Sequence, residues 1–116
     1  MQFLLLIYES ESARASRTEA DNHAMFAEYN AFTASIKSAG KMIAGDALQP
    51  VETATTLRIR DGKTLMTDGP FAETKEQLGG YYLVEANDLD DALSIAARIP
   101  AAKTGSIEVR SIVVWT

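Results

Sequence analysis

The stretch Arg58-Ile59-Arg60-Asp61-Gly62-Lys63-Thr64-Leu65-Met66-Thr67-Asp68-Gly69-Pro70-Phe71, continued through a charged loop to Gly79-Gly80-Tyr81-Tyr82-Leu83-Val84-Glu85, decides how the whole chain is read. Thr55, Leu57 and Ile59 alternate with Thr56, Arg58 and Arg60, and Thr64 to Thr67 resumes an extended pattern. Asp61-Gly62 therefore falls between two strands, where positive φ is needed, and predicts a β-hairpin. The second turn, Asp68-Gly69-Pro70, works differently. Pro70 fixes its own φ, has no N–H and pushes Gly69 out of the helical region, giving a stiff exit from the strand. Gly79-Gly80 then opens a return strand to Ala86.

Outward from this centre the elements follow in order. Gln2 to Tyr8 is continuously apolar after Gln2 and predicts a central strand covered on both faces. Glu9 to Arg17 reads as a polar loop, and Ser16-x-x-Glu19 and Thr18-x-x-Asp21 are alternative capping boxes for the helix that follows. In that helix Met25, Phe26, Tyr29, Phe32, Thr33 and Ile36 recur at steps of three and four, one apolar stripe, and Gly40 ends it as a left-handed cap. Lys41 to Leu48 predicts a short strand broken by Gln49-Pro50. Asp88 caps a second helix, with Asp90 and Asp91 in the first turn where the helix dipole favours negative charge. Its expected buried stripe is Leu89, Ala92, Leu93, Ala96 and Ile99, with Pro100 as the stop. Ser106 to Trp115 closes the chain as a strand with Ile107, Val109, Val113 and Trp115 on one face.

Without the hairpin this order is β-α-β-β-α-β, an α+β ferredoxin-like arrangement with both helices on one face of an antiparallel sheet. The opposite face carries apolar residues of the Phe3 to Tyr8 run and the Tyr81/Tyr82 pair. A single domain spanning 1–116 has no third layer for them, so a homodimer is expected, with a cleft between the sheet and its helices or hairpin.

Composition excludes several function classes. Sixteen acids against eleven bases, net −5, repel a nucleic-acid backbone. The apolar run Phe3 to Ile7 is too short for a membrane span and lacks signal-peptide flanks. The absence of cysteine removes disulfide and thiol chemistry and suits a reducing cytoplasm. No phosphate-cradling loop, dinucleotide fingerprint or nucleophile elbow is present, so no cofactor is expected. One His and no Cys leave no zinc set, and the acidic run at Asp88 lacks the glycine and distal glutamate of a calcium loop.

The candidate site residues cluster around the second turn. Asp68, heading it, is expected to accept a backbone N–H from two residues on, turning Phe71 toward a core. The alternative makes Asp68 a base or ligand anchor beside Glu73, Lys75 and Glu76, with Arg58 of the hairpin's basic patch as a further ligand contact. His23 is the one side chain titrating near neutrality, but the first turns of a helix usually expose such a residue. Tyr29, on the buried stripe, either packs its ring and bonds its hydroxyl to a neighbour or donates to a ligand while Asp68 handles a proton.

Asp68-Gly69-Pro70-Phe71, continuing as Ala72-Glu73-Thr74-Lys75-Glu76-Gln77-Leu78-Gly79-Gly80-Tyr81-Tyr82, resembles the signature of the DGPF group of YCII-related domains. Phe3-Leu4-Leu5-Leu6-Ile7-Tyr8, Gly45-Asp46-Ala47-Leu48-Gln49-Pro50 and Ile107-Glu108-Val109-Arg110 are similar to the same group. The resemblance implies a dimeric α+β barrel. It also implies a His–Asp pair in the broader group, but the matching positions here are Tyr29 and Ile99, so that dyad is missing. Three functions stay open: a small-molecule-binding domain, a cofactor-independent isomerase or lyase using Asp68 and Tyr29, and an accessory protein of a transcription regulator. The last follows the resemblance, through the gene neighbours of similar proteins.

Overall fold

Gln2–Glu9 forms β1, the strand on which the fold is built, and the computed structural model describes residues 1–115. After β1 come α1 (Glu11–Ala15), α2 (Glu19–Ser38), β2 (Met42–Ala47), β3 (Thr55–Arg60), β4 (Lys63–Asp68), β5 (Gln77–Glu85), α3 (Leu89–Ala96) and β6 (Ser106–Ser111). Short 3₁₀ turns at Val51–Thr53 and Pro100–Lys103 join them. The four-stranded sheet runs β2-β5-β1-β6 with every pairing antiparallel, and β3-β4 forms a separate two-stranded arm. With the arm set aside, this is the ferredoxin-like α+β order.

Each strand sends alternate side chains to one side. Phe3, Leu5 and Ile7 of β1 and Tyr82 and Val84 of β5 point to the helices and are buried. Across from them Phe32 and Ile36 of α2 and Ala92, Ile95 and Ala96 of α3 close the core, with Ile107 and Val109 of β6 packed against its edge. Tyr82 fastens α2 to the sheet twice. Its ring meets Phe32 edge to face at 5.1 Å, and its hydroxyl shares a 2.8 Å hydrogen bond with Thr33. On the far side of the sheet Leu4, Leu6, Tyr81 and Leu83 form the centre of a face with no layer over it among the described residues. The molecule is 18 Å thick along its short axis, enough for one sheet and one layer of helices.

The local signals behave as their chemistry requires. Thr18 is the cap of α2, in a reciprocal box with Asp21, and Gly40 sits at φ 70° just past the helix end. Asp88 caps α3 by accepting from the Asp91 N–H at 2.8 Å. Asp61 and Gly62 both take positive φ, 52° and 73°, as the tight turn of the arm demands.

Four expectations are corrected. The stretch expected as a loop from Glu9 to Arg17 contains α1, capped by the Ser10 hydroxyl on the Ala13 N–H. In α3, Leu89 and Leu93 stay about half exposed, because the small residues Ala92 and Ala96 set the close approach to the sheet and Ile95 fills it. The last strand ends at Ser111, and Ile112 to Trp115 run on exposed. Phe71 is no buried anchor. It is 78% exposed, because the hairpin base is closed by backbone, the Gly69 N–H donating to the Ala54 carbonyl at 2.6 Å, and the chain then leaves the sheet. Among the described residues, no helix is long and apolar enough to cross a membrane.

Candidate functional site

The apolar stripe of α2 divides in two. Its C-terminal half, Phe32 and Ile36, enters the core, whereas Met25, Phe26 and Tyr29 wall a cavity of about 450 Å³ between α2 and the sheet. The cause lies in the strands below. Gly45 of β2 pairs with Tyr82, and Gly80 of β5 pairs with Ile7, so both glycines occupy helix-facing positions where a side chain would otherwise meet α2. A Cβ on Gly45 would lie 2.8 Å from the Tyr82 ring and 3.1 Å from the Met42 methyl, and one on Gly80 would lie 3.0 Å from the Asp46 carbonyl oxygen. Gly79, at the bulge where β5 slips against β1, completes the floor.

Charged groups stand around this apolar chamber. Because β1 keeps its alternation to its last residue, Glu9 is carried to the helix side, where an isolated carboxylate would be costly. Arg17 donates to it at 2.5 Å and the Thr104 hydroxyl at 3.0 Å, and the Glu9 and Arg17 side chains are only 12% and 18% exposed. At the β2 edge Asp46 accepts the Tyr81 hydroxyl at 2.7 Å, and that hydrogen bond raises the Tyr81 pKa. Burial, and then the Glu9 charge, push the Tyr29 pKa up to about 12, against smaller opposing contributions from the Ala101 backbone and Arg14. Tyr29 is thus a neutral phenol at physiological pH, able to donate a hydrogen bond but not to serve as a base.

Of the residues proposed from sequence, Tyr29 alone lines the cavity. His23 is exposed on α2 and lies outside it, and Asp68, Glu73, Lys75 and Arg58 are exposed on or after the arm. Glu76 is half-buried and accepts the Ser106 hydroxyl at 2.8 Å. Within one chain the cavity is not beside the loop from Asp68 to Phe71, so a cleft there is corrected to one under α2. The expected turn cap fails for a chemical reason. The residue two on from Asp68 is Pro70, which has no N–H to give. Among the described residues there is no cluster of three or more His, Cys, Asp or Glu suited to a metal ion.

Sequence reading missed Arg14, Asn22, Asn30 and Gly45, all of which line the cavity. Gly45 carried a usable signal, since a glycine inside a strand marks a bulge or a space left for something else. Arg14 was hidden by reading its helix as a loop.

An antiparallel sheet with helices on one face and a glycine-floored chamber beneath the longer helix defines a small α+β domain of ferredoxin-like order. The YCII-related domain matches residues 1–116, and this chain belongs to that family. A protein of Rhizobium meliloti (strain 1021), described only as uncharacterized, is 37% identical over 117 residues, covering 99% of this chain and 94% of its own.

Proposed function

We propose that this protein binds a small molecule in the cavity under α2 and works as a homodimer. One observation carries the first part: an apolar helix stripe stands off a floor of Gly45, Gly79 and Gly80, leaving a chamber of a size that suits a small ligand. Tyr29 is the hydrogen-bond donor to that ligand. Binding is better supported than isomerase or lyase chemistry, because Tyr29 holds its proton and neither Asp68 nor His23 reaches the chamber. The Asp68 to Tyr82 block supports placement in the DGPF group, and the cysteine-free chain supports a reducing, cytoplasmic setting.

The homodimer reading rests on Leu4, Leu6, Tyr81 and Leu83, whose outer face would be covered by the same face of a second copy. Light scattering should then give near twice the 12.6 kDa chain mass, and a monomer at micromolar concentration would end this part. Contact with a protein partner such as a transcription regulator would use the exposed Leu57, Ile59 and Met66 of the arm, and a pull-down unchanged by deleting 56–67 would remove it.

Ligand binding is tested with methyl-labelled methionine and a fragment collection. The methyl signals of Met25 and Met42, on the cavity wall, should move on binding while that of Met66, on the arm, stays in place. No fragment shifting Met25 or Met42 would overturn the reading. Tyr29→Phe should weaken hits carrying an acceptor oxygen and leave purely apolar hits unchanged.

A further inference from the structure

We infer that the ligand of this cavity is a small monocarboxylic acid with an apolar body, its carboxylate held by Arg14 over Gly79 and its body against Met25, Phe26 and Met42. This rests on the cavity being a ligand site. The cations of the lining are Arg14 and Arg17, and they are not equivalent. Arg17 is committed to Glu9 in a largely buried pair. Arg14 has no carboxylate within ion-pair distance among the described residues.

The position of Arg14 gives its charge a use. Its guanidinium lies 3.6 Å from where a Cβ on Gly79 would stand, so it spans bare backbone at the cavity floor. A planar fork of donors in that position matches the two oxygens of a carboxylate. Behind it the wall is apolar, Met25 and Phe26 from α2 and the flexible Met42 from β2. The lining's other carboxylate besides the neutralised Glu9 is Asp46, which is engaged by the Tyr81 hydroxyl, so neither supplies nor cancels charge at Arg14, the one lining cation left without an ion-pair partner among the described residues. With one uncommitted cation to balance it, a monoanion fits better than a diacid or a phosphate ester, and the apolar wall excludes a small polar anion such as acetate as the preferred occupant.

Matched pairs test this: benzoate against benzamide and octanoate against octanamide, titrated at pH 7 with the Met25 and Met42 methyl signals as the readout, phenyl phosphate serving as a dianion control. The acids should bind about tenfold or more tighter than their amides, the gain of a charge-assisted pair. Arg14→Gln should bring the acids down to the level of the amides without changing the melting temperature, and Arg14→Lys should restore part of the difference. Acid and amide binding alike, an acid affinity untouched by Arg14→Gln, or phenyl phosphate binding tighter than benzoate would overturn the ligand class. In each of those outcomes the shifts at Met25 and Met42 would still uphold a binding cavity. If no acid, amide or fragment moves those methyls, the ligand class and the binding reading fall together.

Discussion

On the helix-facing side of the sheet Leu5 and Val84 are fully shielded, while Leu57, Ile59 and Met66 of the β3-β4 arm keep 57%, 61% and 71% of their surface. Both regions are antiparallel, and in both a strand sends apolar side chains at every second position to one face, Phe3, Leu5 and Ile7 in β1 and Leu57 and Ile59 in β3. What separates them is the presence of a layer opposite. β1 and β5 have α2 and α3 across from them, whereas among the described residues no helix lies over the arm. Alternation prepares a face for burial, and an opposing element carries it out. The cavity lies between these extremes, because α2 is present over it but the strands beneath supply glycine instead of side chains.

The sharpest way to break the contrast is truncation on each side. Leu5→Ala should cost about 2–5 kcal/mol in chemical denaturation, as large-to-small core changes do, while replacing 56–67 by a short turn should leave the denaturation midpoint nearly unchanged. An arm deletion as damaging as Leu5→Ala would show that the arm is packed against something in solution, and the two regions would no longer differ. A smaller effect probes the intermediate region. Gly45→Ala places a methyl against the Tyr82 ring and should cost about 1–3 kcal/mol by overpacking, read from the same denaturation curves. A neutral result would mean that the floor yields and that the chamber is softer than its contacts indicate.

Phe71→Ala should change stability by no more than about 0.5 kcal/mol, the range for exposed side chains. A larger loss in thermal melts would place the arm's exit loop with the packed half. The smallest effect belongs to Asp91, half-buried on α3, where it accepts from Lys41 at 2.7 Å and from the Asn87 N–H at 2.8 Å. These two hydrogen bonds, the Lys41 one foremost, hold its pKa below the ordinary carboxylate value. A depressed folded pKa means a contribution that is present above the unfolded pKa and lost as pH falls through the folded one. Asp91→Asn should therefore melt slightly below the wild type at neutral pH, and the gap should close as the solution is acidified. A gap independent of pH would assign the effect to α3 capping alone.

Turn chemistry and periodicity were legible in the residues, because they depend on neighbours along the chain. Asp61-Gly62 demands positive φ wherever it sits, Thr18 and Asp21 close a capping box within one turn, and the run from Phe3 to Ile7 has no polar face to offer water. From these the ferredoxin-like order and the separate arm could be read directly. The candidate site could not. Tyr29 was legible as a cavity residue only through its place on an apolar stripe, and the same stripe wrongly placed Phe26 in the core, where it is 67% exposed. Whether a residue on that stripe meets a core, a chamber or water depends on the strand position opposite it, and Gly45 and Gly80 reach that position only through strand pairing across the sheet. Asp68 shows the converse. Its rigid turn is a local fact, but its distance from the cavity is set by an arm that folds away from the sheet, and that separation exists only in the tertiary structure.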